Sequence, residues 1–398
     1  MGGVLLLGVT TQAQLDPVKR DLIQAGYNQP IQGSAPLSAY AYYYLNHPNF
    51  VRSNLTLRLA LAPVYMDSEF GFSQALGRDT DFAVGAAGGG FADSYAEIRT
   101  GNYFKEESFT GHGGGASASI YHRFNPAQQI PLTGVLRGEL HYATYSRDNA
   151  TAPSFVIPDD RGTLNLRTGF RWGGREPVLL PSVAMEISAW YEAMLRTDPQ
   201  RYGYGGDREI KASSHLFWAR ALLAYTLPKL QHNFSVSLTG GGSIDADRFS
   251  AYRLGGLLPL ASEFPLALPG YYYQEISARR FILFGGNYMV PLDRQQRWSV
   301  NALFTTAGVD YVPGLEQPGH WHSSLGGGLT YRSPSDAWQL ALGYAYGVDA
   351  IRSHDRGDHS IGFLLQIDLE RAHLPLFDPG DNPSRSRGLE RIFRRGLF

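Results

Sequence analysis

Two imidazoles stand two residues apart in His320-Trp321-His322. On a strand, side chains at that spacing share a face, so the pair can converge on a metal ion, but no third ligand accompanies them. The stretch RSHDRGDHS gathers His354, Asp355, Asp358 and His359. It reads either as a cation-binding loop or as a charged turn facing solvent. A hydrolase needs a serine activated by an oriented histidine. His141, with Glu139 on the same side of its segment, is the candidate base. No Gly-x-Ser-x-Gly elbow goes with it, and hydrogen bonds to charged neighbours explain it more simply. The chain has no cysteine, which removes disulfides, thiolate metal sites and cysteine nucleophiles. Neither a phosphate loop nor a dinucleotide fingerprint is present. These residues assign no catalytic group, metal or cofactor, and the chain is not expected to be an enzyme. A formal net charge of -1 leaves no electrostatic footprint for nucleic acid.

The other charges fall on a beat of two. In PLTGVLRGELHYATY, Arg137, Glu139 and His141 alternate with Leu136, Leu140 and Tyr142. In GTLNLRTGFRW, Asn165, Arg167 and Arg171 alternate with Leu164, Leu166, Phe170 and Trp172. In PSVAMEISAWYEAML, Glu186, Ser188 and Glu192 alternate with Met185, Ile187 and Tyr191. Arg58 interrupts the leucines of NLTLRLAL, and SIGFLLQIDLE sets Gln366, Asp368 and Glu370 against Phe363, Leu365, Ile367 and Leu369. Each run offers one apolar face and one polar face. A soluble sandwich alternates too. Charges in mid-strand, opposite an almost wholly apolar face, favour a wall between lipid and a polar lumen.

Composition agrees. Charged residues make up 18% of the chain, below the usual quarter of a soluble domain. There are 46 glycines, 24 tyrosines and 21 phenylalanines. The phase of each run holds over roughly nine residues, enough for a tilted strand to cross a bilayer. Clear and weaker runs together come to about fifteen, and a single-chain barrel closes on an even number. The expected fold is therefore all-β, a closed antiparallel transmembrane barrel of sixteen strands, closed because unpaired edges are too costly in lipid. Trp172, Trp190 with Tyr191, Trp298, Trp321 and Trp338 are expected in the interfacial girdles. The tight Ser333-Pro334-Ser335-Asp336 turn suits the periplasmic side, and the long segments 147–161 and 244–274 suit the outside. Gly240-Gly241-Gly242, Gly285-Gly286 and Gly326-Gly327-Gly328 are expected to allow wall curvature and close packing of whatever fills the lumen.

Four regions are expected. Residues 1–13, with the apolar run Val4 to Val9, read as a truncated signal peptide. Residues 14–50 read as an N-terminal periplasmic segment, 51–370 as the barrel, and 371–398 as an arginine-rich periplasmic tail that can dock an acidic partner or a lipid surface. In the barrel, Arg58, Arg137, Glu139, His141, Arg167, Arg171, Glu186, Asp368 and Glu370 are expected to line the lumen. There they brace it through carboxylate–guanidinium pairs or select solutes.

In the C-terminal third, Phe304, Ala307 and Gly308 are followed by Gly326, Gly328, Leu329, Ser333, Pro334, Leu340 and Tyr344, and then by a final strand with Gly362, Leu365, Ile367 and Leu369. This order resembles the C-terminal barrel of the BamA and TamA type, the outer-membrane insertase and two-partner translocator superfamily of bacterial surface antigen type. The resemblance implies a Gram-negative-type outer membrane, with lipid and lipopolysaccharide around the barrel and a periplasmic or outer-membrane protein partner. It implies that the final strand is the signal read by the insertion machinery. It also implies a long loop that tucks an Arg-Gly pair into the lumen. Here the corresponding residues are Pro269-Gly270-Tyr271, without the arginine, and Arg253 precedes Gly255-Gly256. The implied function is assistance in inserting or translocating envelope proteins or lipids. A passive pore for small solutes and a closed structural or docking barrel are the alternatives.

Overall fold

The computed structural model describes residues 18–174, 183–256, 264–352 and 355–373. Residues 1–13 and nearly all of 371–398 lie outside them. The described residues form twenty strands. They are β1 (Arg20–Pro30), β2 (Ala39–His47), β3 (Leu55–Ala62), β4 (Tyr65–Phe72), β5 (Thr80–Gly89), β6 (Tyr95–Arg99), β7 (Asn102–Arg123), β8 (Leu132–Arg147), β9 (Arg161–Gly174) and β10 (Val183–Arg196). After them come β11 (Arg201–Tyr202), β12 (Arg208–Glu209), β13 (Ser213–Thr226), β14 (Asn233–Ile244), β15 (Tyr252–Leu254), β16 (Ile276–Pro291), β17 (Trp298–Tyr311), β18 (Trp321–Arg332), β19 (Trp338–Arg352) and β20 (Asp355–Asp368).

Sixteen of these make a closed antiparallel barrel; β6, β11, β12 and β15 belong to loops. Every wall strand pairs with its sequence neighbour in the wall. The ring closes where β1 pairs with β20, from Leu22 opposite Asp368 to Pro30 opposite Ser360. Closure leaves no strand edge to be satisfied by lipid.

The barrel begins earlier than the sequence suggests. Residues 20–30 and 39–47, expected in a periplasmic segment, are its first two strands. Gly26, and Tyr40 and Tyr42 beside it, hid the pattern, because here the inner face is aromatic and small rather than charged. The Tyr40 ring lies over Gly26, where a Cβ would meet Tyr40 Cζ at 2.8 Å.

The alternation sorts as expected in β8 and β9, where Leu136, Leu140 and Tyr142, and Leu166, Phe170 and Trp172, are exposed on the outer face. Ile282, Phe284 and Tyr288 of β16 are exposed in the same way. Trp172, Trp298 and Trp338 stand on that face at the end carrying the barrel's termini, and Trp321 at the other. Trp190 does not join them. It is 6% exposed on the inner face of β10, because its phase matches Glu186, Ser188 and Glu192.

Short connections, including the turn at 333–337, lie at the end of the termini. The segments between β8 and β9 and between β14 and β16 lie at the other end. The larger buried apolar cluster is inside the barrel. Tyr252, Leu254, Leu268 and Tyr271 of the β14–β16 loop pack on Leu216, Phe281, Leu283, Ala307 and Val309 of the wall. Gly241 makes room for this packing: a Cβ there would meet Phe281 Cε1 at 2.7 Å and Tyr252 Cζ at 3.0 Å.

Candidate functional site

The loop between β14 and β16 starts by pairing β15 with the head of β16, Arg253 opposite Ser277. It then folds on itself: Gly255 N–H donates to Leu266 O at 3.1 Å, and Gly256 bridges Leu268. Its returning arm reaches the inner wall of the last strands. Gly270, at φ 86°, lies so close to β19 that a Cβ would meet Gly347 Cα at 2.5 Å and Tyr346 C at 2.8 Å. Only glycine allows this approach of backbone to backbone. Its N–H donates to Ser360 Oγ at 3.1 Å. Tyr271, fully buried, meets His322 through its hydroxyl at 3.2 Å, and Tyr311 holds the other ring nitrogen of His322 at 2.6 Å. Burial pushes the Tyr272 hydroxyl up to about 12.

The loop does tuck inward, with its charge arrangement reversed from the one the resemblance implies. The guanidinium is on the wall. Arg352 of β19 donates to Glu275 of the loop at 2.9 and 3.0 Å and to Asp358 of β20 at 2.5 Å, and stacks on Tyr272 at 3.7 Å. Burial raises the Glu275 carboxyl above its ordinary range, and Arg352 pulls it back. Asp358 is thus committed to Arg352, and the cation-loop reading of RSHDRGDHS falls. His359 packs on Tyr344 and Tyr346, and His354 lies outside the described residues. The His320-His322 metal reading falls as well, since His320 Nδ1 lies against Val309 O at 3.0 Å and His322 sits between two tyrosines. Among the described residues no three candidate ligands converge.

A second arrangement closes the mouth at the loop end. Strands β6 and β7 form a hairpin whose turn reaches across to β19, where a Cβ on Gly101 would meet Ile351 C at 2.6 Å. Beneath it Tyr95, Phe109, Phe155, Tyr202 and Ile210 form an apolar cluster drawn from three loops, with Phe249 of a fourth packed against it. Ion pairs lace the cluster together. Arg208 bridges Glu107 and Glu97, Arg99 also joins both, at 2.7 and 3.3 Å, and Arg248 reaches Glu97 at 3.4 Å. Arg253 ties the inward loop to this lid by donating to Ala96 O at 3.0 Å.

Below the lid, the wall residues expected in the lumen lie on the inner face and are paired. Arg58 meets Glu69 at 3.3 Å, Arg137 meets Glu139 at 3.5 Å, and Arg167 meets Glu192 at 2.7 Å. Glu186 holds both Arg171, at 3.7 Å, and Arg220, at 2.6 Å. His141 Nε2 meets Asp93 at 2.9 Å, a residue of the lid rather than of a neighbouring strand. Arg171, Arg167 and Arg220 also stack on Trp190, Trp218 and Phe264, the last from the inward loop. Asp368 and Glu370 sit apart from this lining. Asp368 ends β20 and pairs with Arg371, and Glu370 follows the strand and pairs with Lys19 at 2.7 Å. Of the final-strand pattern, Gly362, Leu365 and Ile367 lie in β20. Leu369 is buried just beyond it, its N–H donating to Asp21 O at 2.8 Å.

Sequence reading missed Glu275 and Arg352, which lie at strand ends where alternation says nothing about partners. It also missed Arg220, although FWARALLAY places it on the beat of Trp218 and Leu222.

No protein-family model and no curated protein matches the chain. Solved structures do. CdiB from Acinetobacter baumannii superposes with a TM-score of 0.54 at 10% identity, over 88% of this chain and 60% of that one. BamA from Haemophilus ducreyi lacking POTRA domains 1-3 gives 0.53 at 11% identity, over 87% of this chain and 70% of that one. CdiB from Escherichia coli gives 0.54 at 10% identity, over 88% and 63%. The described chain thus spans 60% of the first of these proteins. The likeness is one of fold: this is a sixteen-stranded barrel of the BamA and CdiB kind.

Proposed function

We propose that the chain is an outer-membrane barrel of a Gram-negative-type bacterium that helps insert or translocate envelope proteins or lipids together with partner subunits. The observation that carries this reading is the inward loop, whose Pro269-Gly270-Tyr271 stretch docks on the last strands of the wall. A loop held this way blocks the lumen at rest and can be displaced by a substrate or partner. The outer belt of Leu, Phe and Tyr, bounded by tryptophans, is where lipid and lipopolysaccharide lie. The end with the short turns faces the periplasm, on the side of the partner subunits and of the arginine-rich tail. The final-strand pattern of Gly362, Leu365, Ile367 and Leu369 serves the chain's own insertion.

The test is reconstitution. Liposomes carrying the protein should speed the folding of a denatured outer-membrane barrel relative to empty liposomes. In a chain without cysteine, Ala25→Cys with Leu365→Cys, opposite each other across the β1–β20 seam, should arrest that activity when oxidised and release it when reduced. No acceleration in either state would remove the insertion reading. A steady large conductance of the intact protein in planar bilayers would replace it with the passive pore. The lid and its ion pairs favour one other reading, a closed docking barrel. That reading predicts silence in both assays and a stoichiometric partner on purification.

A further inference from the structure

The inward loop is held at a second place, away from its dock on β19 and β20. Trp190 of β10 and Trp218 of β13 lie directly opposite each other in the strand pairing, and their rings stack at 6.3 Å and 15°. Gly169, between Arg167 and Arg171 on the inner face of β9, gives the first ring its bed: a Cβ there would meet Trp190 Cε3 at 2.6 Å. Arg171 lies over Trp190 at 5.2 Å and Arg167 over Trp218 at 5.4 Å. Carboxylates fix the cations around this pair. Glu186 accepts from Arg220 Nη2 at 2.6 Å and from Ser188 Oγ at 2.7 Å, and Glu192 accepts from Arg167 Nε at 2.7 Å.

Phe264 of the loop fills this frame. Its ring meets Trp190 and Trp218 at steep angles, with centres 5.4 and 5.7 Å apart. The guanidiniums of Arg220 and Arg171 lie 4.6 and 5.6 Å from its centre. Two indoles and two cations around one ring select for an aromatic, because a guanidinium is drawn to the ring quadrupole and an aliphatic side chain has none. The wall supplies all four of these partners, and the loop supplies only the ring. With Pro265 and Leu266, Phe264 also borders a cavity of about 430 Å3, which gives the ring space to move into.

We propose that the frame of Trp190, Trp218, Arg171 and Arg220 is a clamp for an aromatic side chain of an extended polypeptide, and that Phe264 occupies it at rest in place of that side chain. The proposal rests on the reading of the chain as a barrel that handles envelope polypeptides, and adds what part of them it grips. A tethered ring competes at an effective concentration on the order of millimolar. The apparent affinity for an incoming aromatic therefore falls with the fraction of time the clamp is filled. A polypeptide that takes the clamp frees the loop from one of its holds on the wall. Because wall residues set the preference, it persists when Phe264 is removed.

The test uses the full chain in zwitterionic detergent and a fluorescently labelled, unstructured Gly-Ser peptide with one central phenylalanine. Twin peptides carry leucine or alanine at that place. Binding is read by fluorescence anisotropy. Phe264→Ala should bind the phenylalanine peptide roughly tenfold more tightly than the parent does, and roughly tenfold more tightly than it binds the leucine twin. Adding Trp218→Leu or Arg220→Met to Phe264→Ala should bring the phenylalanine peptide down to the leucine level. No binding to Phe264→Ala, equal binding of phenylalanine and leucine, or a preference unmoved by both wall substitutions overturns the proposal. If Phe264→Ala fails to fold, Phe264→Leu, which keeps an apolar side chain on the loop, decides by the same comparisons. Faster folding in liposomes without the aromatic preference overturns the clamp alone. The preference without faster folding upholds the clamp and removes only the insertion reading.

Discussion

Replacing Gly270 by alanine should undock the inward loop. The backbone there has φ 86°, and forcing an L side chain into that region costs about 1–2 kcal/mol. The new Cβ would also lie 2.5 Å from Gly347 Cα. Ordinary contact needs about 3.5 Å, and neither side is a movable side chain, so the loop must retreat by roughly 1 Å. That retreat breaks the Gly270–Ser360 and Tyr271–His322 hydrogen bonds, each worth about 1 kcal/mol net. The sum, about 3–4 kcal/mol against the docked state, shifts its equilibrium by roughly 10²–10³. In planar bilayers the parent should be silent or open rarely, and Gly270→Ala should open far more often. Deleting residues 250–270 should open it permanently. Gly205→Ala is the control: it has φ 60° but nothing within 4 Å, so it carries the backbone cost without the collision. If Gly270→Ala and Gly205→Ala leave identical conductance records and identical protease patterns at the loop, the docked-loop reasoning is wrong.

Arg352→Met should lower stability by about 3–5 kcal/mol, because it leaves Glu275 and Asp358 buried without their shared cation; adding Glu275→Met and Asp358→Asn should restore part of the loss in a urea titration of the refolded barrel. Leu140→Arg, on the lipid face at 67% exposed, should cost about 2–4 kcal/mol when folded into vesicles. Leu230→Arg, in a short turn and 59% exposed, should cost almost nothing, and equal effects would deny that β8 faces lipid. In single-tryptophan variants, lipids brominated on the acyl chain should quench Trp298 and Trp172 and spare Trp190 and Trp218. Quenching of Trp190 would contradict its place on the inner face.

Alternation alone made the barrel legible, because a wall between lipid and a polar interior must repeat every two residues. In β8 and β9 it told outside from inside residue by residue. It did so less well where the inner face is not charged. The first two strands, with Tyr40 and Tyr42 beside Gly26, did not look like wall. Trp190 looked like a girdle residue because an aromatic is at home both at a membrane interface and in a lumen. Nearness across the barrel was not legible at all. Arg352 and Glu275 are 77 residues apart, and Arg208 and Glu107 are 101 apart. Only closing the ring and folding the loops over its mouth brings them together. The sequence carries the period of the wall, since that period is local. Which loop enters the lumen and which arginine meets which carboxylate depend on contacts between distant segments. Those contacts the tertiary structure decides.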